Sequence, residues 1–236
     1  MTIGEDQGKA TFMPRIARII APNYPHHITQ RGNNRADVFF DDEDKTTYLS
    51  LLKDYCEKLT VNIWAYCLMT NHVHILAVPA DEGSLSRCIG RTNLLYTQHV
   101  NRKYKRSGRL WQNRFFSTIV DTESYLWAVA RYIEKNPVKS ALVERPEGYP
   151  WSSCRAHISG QGDELVTGKG WFDEKDRGTY KIFLMQQDPV MDEKIRTKTS
   201  TGRPLGSKAF IAGLETKLCR KILPGKAGRP KKPKAI

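Results

Sequence analysis

The chain has 236 residues, of which 39% are hydrophobic and 27% charged, and its formal net charge is +13 at pH 7. This length allows one or two domains with a sizeable core. No apolar run approaches the roughly 20 residues of a membrane-spanning helix, and the polar first ten residues speak against a secretory signal. We therefore expect a soluble, cytoplasmic protein.

The five cysteines indicate free thiols rather than disulfides or a zinc finger. Their number is odd, their spacings are wide, and no Cys-x-x-Cys occurs. Such a pattern is typical of a reducing compartment, where most thiols lie in the core.

Most of the positive charge lies at the C-terminal end. Residues 195–236 contain twelve Lys or Arg and one acid, a net charge of +11, which leaves about +2 for the rest of the chain. A cationic tail on a nearly neutral body is typical of proteins that bind polyanions, and we expect association with the nucleoid. The alternative is a solvated tail that only aids solubility.

The first half of the chain shows an alternation of strands and helices. A strand is predicted over residues 26–31, ending at the turn signal Gly32-Asn33-Asn34. Asp41 or Asp42 then caps a helix that runs to Leu59. Strands over 61–69 and 73–78 follow, joined by the tight connection Thr70-Asn71.

The next segments complete a recognisable order. Ser84 is expected to cap a helix to about Val100, a strand follows over 116–120, and a helix opens at Thr122 and Glu123 and runs to Asn136, where Pro137 stops it. The order strand, helix, strand, strand, helix, strand, helix predicts an α+β fold. Its core is a ferredoxin-like split βαβ unit with a four-stranded antiparallel sheet.

The domain organisation follows from composition. We predict a disordered leader over 1–12, the main domain over 13–157, a small extension packing on it over 158–194, and a basic tail over 195–236. From Thr197 onward the chain is expected to be linker and tail, apart from an amphipathic stretch over 207–222 with helical spacing.

Two histidines one residue apart suggest a metal site. In a strand, His72 and His74 leave the same face while Val73 and Ile75 point into the core. Two imidazoles on one strand face can share a metal ion. The alternative is that both are satisfied by neighbouring side chains.

A tyrosine and an amide on the last predicted helix add the parts of a nuclease. Tyr132 and Asn136 are four residues apart and share a helix face. The Asn136 oxygen with the two imidazoles can hold a divalent metal that polarises a phosphoryl oxygen, and Tyr132 can attack phosphorus. An ordinary half-buried tyrosine is the alternative, and Tyr125, Tyr96 and Tyr104 are rival nucleophiles.

The motifs resemble a known family. Asn71-His72-Val73-His74, followed by Tyr132-Ile133-Glu134-Lys135-Asn136-Pro137-Val138, is similar to the single-tyrosine HUH transposases, and within them to the IS200-like branch associated with repetitive extragenic palindromes (REP), the RAYT proteins. The other matching pieces are His27-Ile28-Thr29-Gln30-Arg31-Gly32-Asn33-Asn34-Arg35, Leu110-Trp111-Gln112-Asn113-Arg114-Phe115 and Tyr149-Pro150-Trp151-Ser152-Ser153. Together they cover roughly residues 13–157 in the family's order.

The resemblance implies a function and a role for each matching residue. His72 and His74 would be metal ligands, Tyr132 the nucleophile, and Asn136 the third ligand, where related transposases have the longer glutamine. Family members cleave and rejoin single-stranded DNA at palindromic hairpins through a 5′-phosphotyrosine bond, with Mg²⁺ or Mn²⁺ as the usual cofactor. Related transposases are dimers, whereas a longer chain such as this one could be a monomer.

Cations, amides and one aromatic residue are the candidate DNA contacts, since such a surface combines phosphate neutralisation with base stacking. Core packing is the alternative for Trp111, and a generic basic tail is the alternative for the last three residues. The set is Arg31, Asn33, Asn34, Arg35, Arg102, Lys103, Arg106, Arg109, Trp111, Arg114, Arg203, Arg229, Lys231 and Lys232.

Two other functions stay open at this point. One is a domesticated protein that binds hairpin DNA without turnover. The other is a metal-dependent RNA nuclease on the same fold, which would not need Tyr132.

Overall fold

The computed structural model describes residues 18–122, 125–167 and 171–222. Four strands, β1 (His26–Arg31), β2 (Val61–Met69), β3 (His72–Pro79) and β4 (Phe116–Ile119), form one antiparallel sheet in the order β2-β3-β1-β4. This is the ferredoxin-like order, and it confirms the α+β fold predicted from the sequence.

Two long helices cover one face of the sheet. They are α1 (Asp42–Leu59) and α2 (Ser84–Lys103), whose apolar stripes meet the inward side chains of the central strands. The buried residues of this core include Tyr48, Leu52, Leu85, Ile89, Ile28, Val73 and Ile75.

The starts of these helices are fixed by aspartates. The Asp41 carboxylate accepts a hydrogen bond from the Asp44 amide at 2.9 Å, so Asp41, one of the two predicted caps, is the residue that caps α1. The prediction that Ser84 caps α2 is wrong. Ser84 is the first helical residue, and the side chain of Asp81 accepts from the amides of Gly83 and Ser84 instead.

The opposite face of the sheet is covered by α3 (Leu126–Glu134) and α4 (Asn136–Lys139). The single helix predicted over 122–136 is therefore wrong at both ends, because α3 begins at Leu126 and ends at Glu134. Glu123, predicted to open the helix, lies outside the described residues. Asn136 begins α4 instead of ending α3, because Pro137 cannot donate a backbone hydrogen bond but fits the first turn of a new helix.

Four further helices follow among the described residues. Helix α5 (Cys154–Ser159) lies at the end of the predicted main domain. Helices α6 (Arg177–Met185), α7 (Pro189–Thr201) and α8 (Lys208–Lys217) form the C-terminal extension, which reaches into the predicted basic tail. Leu184 of α6 and Ile195 of α7 are buried in the core that α3 makes with the sheet. Helix α8 confirms the amphipathic stretch and buries Leu214 against Ile119.

The predicted linker from Thr197 begins too early, because α7 continues to Thr201, and the predicted boundary after residue 194 falls inside the same helix. Its buried residues, Ile195 and Thr199, are one turn apart among polar neighbours, so the helix has too narrow an apolar face to be recognised from hydrophobic periodicity. Residues 223–236, and the predicted leader over 1–12, lie outside the described residues.

Other segments of the chain lie along both outer strands of the sheet. Beside β4, the Leu205 amide donates to the Ile119 carbonyl and the Leu205 carbonyl accepts from the Asp121 amide, both at 2.8 Å. Along β2, Leu68 donates to the Trp151 carbonyl at 2.9 Å, and Ile63 accepts from the Thr167 amide at 2.8 Å.

The cysteines agree with the expectation of free thiols. All five are unpaired, and four of them are buried, with Cys219 exposed. In the described ranges, no helix is both long and apolar enough to cross a membrane.

Candidate active site

The two histidines of β3 lie on the sheet face opposite α1 and α2, as the alternation predicted. Val73 and Ile75 belong to the core on the α1 side, and the ring centroids of His72 and His74 are 5.0 Å apart. In the register with β1, Arg31 lies opposite His72 and Thr29 opposite His74.

The tautomer of His72 follows from its neighbour. Asn71 donates its side-chain nitrogen to the Arg35 carbonyl at 2.9 Å, so its side-chain oxygen is the atom 2.6 Å from His72 Nδ1. That oxygen can only accept, and Nδ1 must therefore carry the proton. The lone pair of His72 Nε2 is left for a ligand.

Burial keeps these imidazoles neutral. Loss of solvation, helped by the Arg31 charge, lowers the pKa of His72 to about 4. Burial, followed by the neighbouring His72 and His27 rings, lowers the pKa of His74 well below its usual value. Neutral imidazole is the form that binds metal ions.

One cavity of about 470 Å³ brings the predicted site residues together. His72 and His74 come from β3, Tyr132 from the end of α3, and Asn136 from the start of α4. The Tyr132 ring meets the His74 ring edge to face, with centroids 5.7 Å apart. The cavity is lined by His27, Thr29, Gln30, Arg31, His72, His74, Gln112, Asn113, Arg114, Phe116, Tyr132, Asn136, Arg196, Thr199 and Ser200.

The break between α3 and α4 orients the Asn136 amide. Its nitrogen donates to the carbonyls of Tyr132 at 2.7 Å and Ile133 at 3.3 Å. Because those carbonyls only accept, this atom is the nitrogen, and the amide oxygen is left for a ligand.

The donor set around the cavity fits a divalent metal. It contains the His72 Nε2 lone pair, a second neutral imidazole on His74 and the Asn136 amide oxygen, which are acceptable ligands for Mn²⁺. No cluster of three or more His, Cys, Asp or Glu with metal-binding geometry occurs in the described parts of the chain. The Asn136 amide oxygen, a ligand type outside these four residue types, lines the same cavity.

Tyr132 is a protonated phenol in this environment. Burial, with a smaller contribution from the Asp192 carboxylate, raises its pKa above the ordinary value of 10.0. The positive charges of Arg196 and Arg31 lower this pKa and so partly offset the effect of burial. Lys139 Nζ lies 4.3 Å from the ring centroid and is paired with the Asp192 carboxylate at 2.7 Å.

The rival tyrosines are held elsewhere. Tyr96 is fully buried and donates to the Val38 carbonyl at 2.6 Å, Tyr104 bonds to Asp41 and Asp44, and the Tyr125 hydroxyl accepts from Lys194 at 2.7 Å. Among the ten tyrosines, all of which the structure describes, Tyr132 alone lines the histidine cavity.

Some predicted DNA contacts lie at the cavity and others on nearby surfaces. Arg31 and Arg114 line the cavity. A further group is exposed on the turn after β1, on the last turn of α2 and on the segment after α2: Asn33, Asn34, Arg35, Arg102, Arg106 and Arg109. The Arg203 guanidinium donates to the Ile222 carbonyl. Arg229, Lys231 and Lys232 lie outside the described residues.

One of these predictions is corrected by the structure. The Trp111 indole is buried against Phe39, Tyr48 and Tyr96, so it packs in the core and is not a platform for base stacking. Lys103 Nζ lies 2.7 Å from carboxylate oxygens of both Asp41 and Glu43. These acids compete with phosphate for its charge, and its role as a DNA contact stays a prediction.

Sequence reasoning missed several residues of the cavity. His27 alternates with Thr29 and Arg31 on β1, and its place on the histidine face could have been found from this period of two. Arg196 and Thr199 come from α7. No sequence signal links α7 to the sheet, because their contact depends on tertiary packing.

Comparisons with known proteins found similar transposases. Residues 21–136 match the family model described as Transposase IS200 like. A Haemophilus influenzae protein named REP-associated tyrosine transposase is 26% identical over 157 residues, which cover 59% of this chain and 89% of the relative. A solved structure described as a REP-associated tyrosine transposase bound to a REP hairpin shares the fold, with 17% identity, a TM-score of 0.55, and coverage of 69% of this chain and 98% of that one. With the ferredoxin-like sheet, the histidine pair and the tyrosine on one cavity, the chain belongs to the IS200-like tyrosine transposase family.

Proposed function

We propose that this transposase is a metal-dependent endonuclease that cleaves single-stranded DNA at palindromic hairpins and rejoins it through a 5′-phosphotyrosine intermediate. The observation that carries the proposal is the single cavity shared by His72, His74, Tyr132 and Asn136. The solved relative was bound to a REP hairpin, which supports a folded-back DNA strand as the substrate class.

The residues around the cavity have distinct roles. His72, His74 and Asn136 would hold Mg²⁺ or Mn²⁺, which when bound polarises a phosphoryl oxygen as a Lewis acid. Arg31, Arg114 and Arg196 line the same cavity and bring positive charge to the phosphate. Arg196 is also paired with Glu193 at 2.8 Å, so part of its charge is already matched.

Tyr132 supplies the nucleophile. Its phenol loses a proton, Oη forms a bond to phosphorus, the bond from phosphorus to O3′ breaks, and the leaving 3′ oxygen takes up a proton. In the joining step, a 3′-hydroxyl attacks the phosphotyrosine and restores the phenol. Arg196 and Arg31, whose charges lower the pKa of Tyr132, favour the phenolate during both steps.

A covalent-capture assay tests the proposal. Full-length protein is incubated with labelled single-stranded hairpin DNA and Mn²⁺ and resolved on a denaturing gel. We expect a protein–DNA adduct that disappears in Tyr132→Phe and on chelation of the metal. Tyr125→Phe is the matched control and should keep the adduct, because Tyr125 lies outside the cavity.

The alternatives give different results in the same assay. An RNA nuclease would cleave RNA without an adduct and would retain activity in Tyr132→Phe. A binding protein without turnover would shift the hairpin on a native gel and give no adduct with any hairpin, even with both metals present. Either result would exclude the proposed mechanism.

The choice of metal is a separate prediction. Two imidazole ligands suit Mn²⁺ better than Mg²⁺, which prefers oxygen ligands and retains water. We expect faster adduct formation with Mn²⁺ at equal concentration, measured as initial rates in parallel reactions. A higher rate with Mg²⁺ would argue against direct coordination by both histidines.

A further inference from the structure

A row of hydrogen-bonded side chains runs from helix α7 to His74. Thr199 Oγ1 lies 2.9 Å from His27 Nδ1, and His27 Nε2 lies 3.0 Å from His74 Nδ1. All three residues are buried, and the planes of the two imidazoles are only 17° apart. The C-terminal extension thus reaches a candidate metal ligand through two contacts.

The Thr199 hydroxyl sets the direction of the protons along this row. It lies 2.8 Å from the Ile195 carbonyl, which can only accept, so the single hydroxyl proton points to Ile195. The Thr199 oxygen then accepts from His27 Nδ1–H. A neutral imidazole has one N–H, and His27 Nε2 therefore accepts from His74 Nδ1–H.

We propose that Thr199 and His27 are positioning residues that hold His74 as the tautomer whose Nε2 is unprotonated and available to the cavity. The inference rests on the proposed function, in which His74 binds a metal ion. If instead Thr199 donated to His27 Nδ1 and His27 Nε2–H donated to His74 Nδ1, the single proton of His74 would be on Nε2. That nitrogen could not then bind a metal ion. Metal-bound histidines commonly have their other ring nitrogen fixed in this way.

The two candidate ligands are fixed by different parts of the chain. Asn71, the residue before His72, fixes that ring. His74 depends on His27 from β1 and on Thr199 from α7, a helix that follows the transposase domain in the sequence. The extension thereby supplies part of the support of the active site.

Histidine tautomers in the metal-free, full-length protein test the inference directly. Long-range ¹H–¹⁵N NMR distinguishes a protonated Nδ1 from a protonated Nε2. We expect His27 and His74 to be the Nδ1–H tautomers in the wild type. Finding the proton on Nε2 of either ring would overturn the proposal, and this measurement requires no variant to fold.

Metal affinity gives a second readout. We expect Thr199→Val, which removes the hydroxyl at nearly constant volume, to raise the Mn²⁺ dissociation constant about 10-fold, the lower end of the effect of such supporting residues. The measurement is electron paramagnetic resonance of free Mn²⁺. Thr199→Ser should restore the affinity because it restores the hydroxyl.

The matched control is Thr201→Val on the same helix. The Thr201 hydroxyl also donates to helix carbonyls, those of Thr197 and Lys198, but Thr201 is exposed. The Mn²⁺ affinity of the Thr201→Val variant should therefore stay at the wild-type value. Wild-type Mn²⁺ affinity in folded Thr199→Val would overturn the proposal. If the wild type bound no Mn²⁺, the proposed metal site would be wrong. The NMR measurement of the His27 and His74 tautomers would still test the hydrogen-bond directions independently.

Discussion

A buried histidine away from the active site makes stability depend on pH. His26 Nδ1 donates to the Tyr24 carbonyl at 2.7 Å, and Nε2 accepts from the Ala21 amide at 3.2 Å. Burial, partly offset by the bond to Tyr24, lowers the pKa of His26 from 6.5 to about 4. The neutral ring is the form that satisfies both contacts.

The lowered pKa gives a prediction with a definite sign. Below pH 6.5 the unfolded chain takes up a proton at His26 that the folded chain accepts only near pH 4. The stabilisation is therefore complete above pH 6.5 and is lost as pH falls toward 4. We expect His26→Gln to reduce the slope of unfolding free energy against pH by up to about 1.4 kcal/mol per pH unit in this interval.

Urea unfolding of both proteins between pH 5 and 7 measures this difference. The wild type and the variant share the other buried histidines, whose contribution cancels in the comparison. Parallel curves would contradict the lowered pKa. An NMR titration of the wild-type His26 ring gives an independent value.

At the residue scale, the sequence predicted what local periodicity controls. Alternation placed His72 and His74 on one face, and helical spacing paired Tyr132 with Asn136. The resemblance pointed to Tyr132, but periodicity alone could not tell which of four tyrosines lies beside the histidines, because Tyr96, Tyr104 and Tyr125 differ from Tyr132 in their long-range contacts. Thr199 could not be predicted, since it is far from the histidines in sequence.

At the scale of elements, helix α7 connects the extension to the active site and begins at a defined cap. The Asp188 carboxylate accepts from the Met191 amide at 2.9 Å, and Pro189 follows at the first helical position. We expect Asp188→Ala to lower the free energy of unfolding by about 1 kcal/mol, the usual effect of losing such a cap. Urea unfolding measures the change.

Asp188→Asn separates the cap from the charge. Asn keeps a side-chain oxygen for the Met191 amide but loses the ion pair with Arg131, in which the two atoms are 3.6 Å apart. We expect its stability to stay close to that of the wild type. Equal destabilisation by Asn and Ala would show that the ion pair, and not the cap, stabilises the start of α7.

The strands were predicted more accurately than the helices. Buried runs with turn signals at both ends defined β1 and β2 to the residue. The break at Lys135 was missed because Pro137 is compatible with both the end of one helix and the first turn of the next. Helix α7 was missed because its buried face is narrow.

At the scale of the whole molecule, the charge of the C-terminal end can be tested by truncation. Residues 223–236 contain five Lys or Arg and no acid, and a cut after Ile222 leaves α7 and α8 intact. If all five cations contact phosphates, the slope of log K for hairpin binding against log salt should become shallower by about 4. Fluorescence anisotropy at several salt concentrations measures the slope.

A variant of the full chain with Gln at these five positions is the control for chain length. It should give the same shallow slope as the truncated protein if charge alone is responsible. An unchanged slope in both would mean that the tail makes no phosphate contact and serves only solubility.

The fold and the site were thus predictable to different degrees. The order of strands and helices specified the sheet, because short connections and a split βαβ pattern allow few topologies. The cavity was not predictable, since its lining comes from β1, β3, β4, α3, α4, α7 and the segment before β4. Their mutual distances are set by packing of the sheet against the extension.

The segments along the outer strands have a consequence for self-association. Exposed outer strands are templates on which further chains can add, and proteins that leave them open risk aggregation. Here the backbone groups of Ile119, Leu68 and Ile63 already pair with Leu205, Trp151 and Thr167 of the same chain. A second copy could not add a strand at these positions without displacing the segments that already pair there.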